Sequence, residues 1–208
     1  MKVAVFASGR GSNLQALLDA AESGALGAEV VLVLSDVRDA QALERAARRS
    51  IPHRFIERGE FEEVALSILK EAGVDLVCLA GFMRILSADF IHRAAVPILN
   101  VHPSLLPSFP GLRAQRQALA YGVRITGATV HLVDEEMDHG PIVVQAAVPV
   151  LQEDDEESLS ERILREEHRI YPLAVRWFAE GRVRVEGRRV ILRDAGQDGF
   201  AVCNPDEG

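Results

Sequence analysis

Cysteine is nearly absent from this chain of 208 residues: Cys78 and Cys203 are the only two, too few for a disulfide framework. Cys78 lies inside a continuous apolar run and Cys203 near the C-terminus, so both read as free thiols of a reducing compartment. No stretch approaches the roughly 18 apolar residues of a membrane-spanning helix. The N-terminus, MKVAVFASGRGSN, turns polar after six residues instead of entering an apolar signal core. The expectation is a cytoplasmic protein without a membrane partner. Positive charge is also scarce. Lys and Arg total 23 against 31 Asp and Glu, a net charge of -8, and lysine occurs only at Lys2 and Lys70. Nucleic acid is therefore not expected as a partner, because phosphate backbones are bound by clustered Lys and Arg. The six histidines, at positions 53, 92, 102, 131, 139 and 168, show no recurrent ligand spacing, and no metal site is expected.

What is present is an ordinary apolar content of 48% arranged in two different rhythms. Short runs at Val3 to Ala7, Glu29 to Leu34, His53 to Ile56, Val74 to Ala80 and Val96 to Val101 read as strands. Helical patterns intervene at Leu14 to Ala21, Ala40 to Arg49 and Phe61 to Glu71. The runs at 74–80 and 96–101 are apolar on both faces, as in a parallel sheet covered by helices on each side. After a short helix at Ala114 to Tyr121, the segments Ile125 to Val133 and Pro141 to Pro149 predict an antiparallel pair, or at least neighbouring strands, around the turn DEEMDHG. The acidic EDDEE at 153–157 reads as a solvated linker or the start of a long helix from about Ser158 to Glu180. A hairpin about Glu186-Gly187 follows. The expected fold class is α/β, with a mostly parallel central sheet flanked by helices and antiparallel strands toward the C-terminus. Residues 1–193 are expected to form one domain, and 194–208 a poorly ordered tail.

Three features carry chemistry. After the first strand, Ser8-Gly9-Arg10-Gly11-Ser12-Asn13 leads into a helix that Ser12 or Asn13 would cap. Glycines permit close backbone approach, and the helix N-terminus then offers N–H groups to an anion. A phosphate-containing small molecule is expected there, with a plain tight turn as the alternative. The dinucleotide fingerprint needs a third glycine where this chain has Leu14, although Asp36 would resemble its ribose-binding acid.

The apolar run Pro97-Ile98-Leu99 ends in Asn100 and His102, which alternation along a strand points to one side. Imidazole suits proton transfer near neutral pH, and a carboxamide donates to an oxygen gaining negative charge. Pro103 and Pro107 restrict the loop behind the pair. Satisfying backbone groups at a strand end is the other use of these side chains. The carboxylates of the 134–138 turn read as a solvated loop, with the alternative that Asp138, which precedes His139-Gly140-Pro141, turns inward to orient His102 or raise its pKa. Finally, Glu167 continues an apolar helical stripe through Leu159, Ile163, Ile170, Ala174 and Trp177. A buried carboxylate needs a partner, either a core Arg or a cationic ligand group. Pro172 is expected to kink that helix.

The segments SGRGSNLQAL, LAGFMRIL, ILNVHPSLLPSFPG, GATVHLVDEEMDHGPIV and EEHRIYPLAVRWF, in this order over about residues 1–180, resemble the glycinamide ribonucleotide formyltransferase family. The resemblance implies a Rossmann-like formyltransferase fold and formyl transfer from 10-formyltetrahydrofolate, a co-substrate, to glycinamide ribonucleotide, without metal. It implies Asn100, His102 and Asp138 as catalytic residues, with Asn100 also touching folate. It implies Gly11, Ser12 and Asn13 at the ribose phosphate, Glu167 near the substrate amine, and Met83, Arg84, Ile85 and Leu86 at folate. Arg58 matches a folate-binding arginine across a shortened stretch. The chain departs from the family at His139, where Gly is common, and at Leu164, where a polar residue is common and Arg165 stands beside it. A monomer or weak homodimer is expected. The alternatives are other users of 10-formyltetrahydrofolate, namely methionyl-tRNA formyltransferase and formyltetrahydrofolate hydrolase, and a nucleotide-binding redox module.

Overall fold

A computed structural model describes residues 1–194. The expected tail beyond residue 194 and Cys203 lie outside the described residues. Among those described, five strands come first: β1 (Lys2–Phe6), β2 (Glu29–Ser35), β3 (His53–Phe55), β4 (Leu76–Leu79) and β5 (Ile98–His102). All are short and, apart from β3 with its exposed His53 and Arg54, apolar, and they pair in parallel. β6 (Ile125–Leu132) and β7 (Ile142–Pro149) add antiparallel strands, and the hairpin of β8 (Val183–Glu186) and β9 (Arg189–Leu192) completes one sheet in the order β3-β2-β1-β4-β5-β6-β7-β9-β8.

Alternation along β1 explains how the sheet is covered. Val3 and Val5 pack with α1 (Ser12–Glu22), α2 (Gln41–Arg48) and α6 (Glu156–Ala179), whereas Ala4 and Phe6 pack with α3 (Phe61–Ala72) and α4 (Ala88–Ala94). The inner parallel strands β1, β4 and β5 are therefore buried on both faces, as their sequences require. Cys78 is a free thiol inside this core, and burial pushes its pKa up to about 12, which makes it a packing residue. α5 (Ala114–Tyr121) completes the helices among the described residues.

Some boundaries differ from the expectation. α4 escaped the sequence pattern because its seven residues bury only Phe90, too few for a stripe; Ser87 caps it by accepting from Phe90 N–H. The acidic 153–157 stretch leads into α6, with Glu156 and Glu157 its first residues and a capping box formed by Asp155 and Ser158. α6 runs through Pro172 as one helix. Its fully buried Tyr171 donates to the carbonyls of Leu79 at 2.9 Å and Leu99 at 3.0 Å, which seats the helix on the ends of β4 and β5.

The strand order places the functional crevice. β1 continues to β2 on one side and has β4 on the other, so the loops after β1 and β4 leave the sheet at a topological switch point. β5 ends beside them. The β6–β7 pair is held close by Gly127, where a Cβ would stand 1.9 Å from the Ala146 carbonyl oxygen. Gly127→Ala is therefore expected to lower stability by about 3 kcal/mol, read as a drop in urea midpoint.

Candidate active site

Gly11, at φ 69°, is the N-cap of α1, and a Cβ there would meet Ala42 at 2.9 Å. The expected caps, Ser12 and Asn13, are instead the first helical residues, and no side chain caps this end. Asn13 turns inward and donates from Nδ2 to Glu167 Oε2 at 2.7 Å. The partner of Glu167 is thus a neutral amide, not the core arginine allowed for from the sequence. Beside the loop, Arg45 donates to the Arg10 carbonyl at 2.8 Å and to Gln15 at 2.7 Å. A cleft of about 520 Å3 runs from Ser12 along α1, with Arg45 and His168 on its walls.

Burial raises the pKa of Glu167 from its ordinary 4.5, and the Asn13 hydrogen bond only partly opposes this. The folded chain then binds this proton more tightly than the unfolded chain does. The associated stability is present below pH 4.5 and is lost as pH rises through the folded-state pKa. Glu167→Gln should therefore melt higher than the wild type at pH 8, by at least about 2 °C, with the gap closing toward pH 4. Paired melting curves across pH check this.

Asn100 and His102 leave β5 on the same side, as alternation requires. Asp138, in the loop between β6 and β7, meets them there at φ 54°. Its Oδ2 lies 3.4 Å from His102 Nδ1 and accepts Gly111 N–H at 2.7 Å. His102 Nε2 lies 2.9 Å from the Phe109 carbonyl, so an acceptor faces each ring nitrogen, an arrangement two N–H donors would satisfy.

His131, which the sequence reading counted only as a non-ligand, is part of the cluster. It sits opposite Asn100 in the β5–β6 register, next to an irregularity at Val130/His131. Its Nδ1 is 2.9 Å from the Leu132 carbonyl and its Nε2 is 3.2 Å from Asn100 Nδ2. Burial lowers its pKa, more than its contact with the Leu132 carbonyl and the nearby Asp138 raise it. A neutral ring that donates from Nδ1 and accepts at Nε2 fixes one Asn100 N–H and leaves the other.

The proline loop behind the pair is held by more than proline. Thr129 donates to the Ser104 carbonyl at 2.7 Å and accepts Leu106 N–H at 3.0 Å, while Gln145 reaches the Leu106 carbonyl at 2.9 Å. The Leu106–Pro107 peptide is cis.

The Met83–Leu86 segment follows β4 at the same crevice. Met83 and Ile85 are exposed by 66% and 71%, Leu86 is buried, and the Arg84 guanidinium lies 5.4 Å from the Phe61 ring centre. Arg58 lies with its Nε 3.2 Å from Asp36 Oδ2. Asp36 is buried and accepts the Ser8 hydroxyl at 2.6 Å, so it is turned into the chain and not toward a ribose. At the departures, His139 contacts Asp134 at 3.0 Å and is reached from β8–β9 by Arg188, whereas Leu164 is half-buried and Arg165 exposed.

The formyl transferase family model matches residues 1–175. The phosphoribosylglycinamide formyltransferase of Haemophilus influenzae is 42% identical over 197 residues, covering 92% of this chain and 93% of that protein. The trifunctional purine biosynthetic protein adenosine-3 of Drosophila pseudoobscura pseudoobscura is 50% identical over 191 residues. This chain spans only 14% of its length. Among solved structures, glycinamide ribonucleotide transformylase 1 from Symbiobacterium toebii superposes with a TM-score of 0.89 at 49% identity, covering 92% of this chain and 93% of that one.

Proposed function

This chain belongs to the phosphoribosylglycinamide formyltransferases of the formyl transferase family, and from that premise we propose that it moves a formyl group from 10-formyltetrahydrofolate to the amine of glycinamide ribonucleotide in purine biosynthesis. The observation that carries the reading is the convergence of Asn100, His102 and Asp138 at the carboxyl end of β5, beside the crevice between β1 and β4.

The acceptor phosphate is assigned to the N-terminus of α1 at Gly11, Ser12 and Asn13, where free backbone N–H groups and the helix dipole favour an anion. Glu167, held by Asn13, is assigned to the amine end of the acceptor. The donor is assigned to Met83, Arg84, Ile85 and Leu86 and to Asn100, with Arg58 at its outer edge. In the reaction the neutral amine attacks the formyl carbon, and the carbonyl oxygen takes up the displaced electron pair. Asn100, through the N–H that His131 leaves unused, and His102 donate to this oxyanion. Asp138 accepts from His102 Nδ1 and holds the ring in the orientation needed. For His102 Nε2 to reach the oxygen, the Phe109 carbonyl has to give way to substrate. Collapse of the intermediate breaks the bond to folate N10, which leaves with the proton surrendered by the amine. Holding donor and acceptor in one crevice supplies much of the acceleration.

The test mixes protein, 10-formyltetrahydrofolate and glycinamide ribonucleotide and follows deformylated folate by absorbance. Turnover that requires glycinamide ribonucleotide is expected. Equal turnover without it would assign the chain to folate hydrolysis instead.

A further inference from the structure

Asp36 and Ser8 have no role in the chemistry above, yet they link a buried carboxylate to the half-buried loop after β1 at the crevice. Asp36 is 4% exposed at the end of β2, and Ser8 follows β1. A carboxylate only accepts hydrogen bonds. The 2.6 Å contact from Ser8 Oγ to Asp36 Oδ1 therefore commits the hydroxyl proton to Asp36. The lone pairs of Ser8 Oγ are then turned the other way, where they accept Met83 N–H at 2.9 Å. Ser8 N–H donates to the Gly81 carbonyl at 3.2 Å, so one serine grips the loop after β4 with both its backbone and its side chain. On the far side of Asp36, Arg58 Nε approaches Oδ2 at 3.2 Å.

The other anchors of that loop are side chains, with Phe82 and Leu86 in the core and Arg84 over the Phe61 ring. It turns through Gly81 at φ +68°, and Met83 and Ile85 face outward. Its far end is tied separately, with Ser87 N–H donating to Glu62 at 3.0 Å. The backbone of residues 83–86 is thus tied to Ser8 at its start and to the Ser87–Glu62 contact at its end, with Leu86 buried in the core.

We propose that Ser8, oriented by Asp36, is a positioning residue that fixes the Met83–Leu86 backbone and so sets affinity for the folate donor. This rests on the formyl-transfer reading, which places the donor on that segment. Arg58 then acts at one remove, by neutralising the carboxylate that orients Ser8.

Two measurements on the full chain test it. Hydrogen exchange needs no ligand: Ser8→Ala should speed exchange of the Met83 amide by about tenfold, the loss of one hydrogen bond. The Ala80 amide, bonded to the Phe6 carbonyl, should keep its wild-type rate. In steady-state assays the same variant should raise KM for 10-formyltetrahydrofolate about tenfold, with KM for glycinamide ribonucleotide within about twofold of wild type. Asp36→Ala, which lets the hydroxyl rotate away from its set direction, should shift both readouts the same way and carries the test if Ser8→Ala does not fold. A wild-type Met83 exchange rate, or equal rises in both KM values, overturns the proposal. A wild-type enzyme with no glycinamide-dependent turnover overturns the functional reading instead, while the Met83 exchange rate still reports on the link itself.

Discussion

Replacing His102 by alanine is expected to lower kcat by about 10²-fold or more, the combined scale of proton transfer and charge stabilisation. His102 is 5% exposed, its Nδ1 faces Asp138 Oδ2 at 3.4 Å, and Asp138 is itself fixed by Gly111 N–H at 2.7 Å. With Nδ1 directed to this carboxylate, Nε2 meets an oxygen that becomes negative once substrate displaces the Phe109 carbonyl, 2.9 Å away. Deleting it leaves both substrates able to bind, so KM should change much less than kcat. Because the ring is buried, circular dichroism and a melting curve must accompany the kinetics. A folded His102→Ala enzyme at the wild-type rate would reduce the residue to a strand-end packing group.

The second large effect is expected at Asn100. Asn100→Ala removes a donor aimed at the developing charge, and one such donor is worth about 10²- to 10³-fold in kcat. The amide cannot reorient freely, because His131 Nε2 lies 3.2 Å from its Nδ2 and the lowered pKa of His131 keeps that ring an acceptor near neutral pH. Asn100→Ala should therefore depress kcat across the pH range without moving the pH at which activity changes. A drop confined to KM for the donor would make Asn100 a binding contact alone.

How much of this could be read from the sequence follows from the range of each interaction. The parallel strands were legible because burial on both faces writes a continuous apolar run, and Asn100 and His102 share a side by alternation alone. His131 was missed although its strand was expected. Its role depends on the β5–β6 register, which sets it opposite Asn100, and no local pattern encodes that pairing. The inward turn of Asp138 was anticipated as a possibility of the turn sequence, while its approach to two histidines needs β6 and β7 to fold back on β5. Glu167 was visible as a carboxylate on an apolar stripe. Its partner Asn13 lies 154 residues away, so sequence reasoning offered a core arginine or a cationic ligand group instead. α4 was lost for the opposite reason, since a helix that buries only Phe90 has no periodicity to detect.

The central claim is that this site passes a formyl group between two bound molecules and not to water. A single-turnover reaction with 13C-formyl-labelled 10-formyltetrahydrofolate and glycinamide ribonucleotide, followed by carbon NMR, tests it directly. The account predicts that the label appears as an amide on the glycinamide nitrogen with wild-type enzyme, and far more slowly with His102→Ala. Label recovered as free formate, whether or not glycinamide ribonucleotide is present, would contradict it.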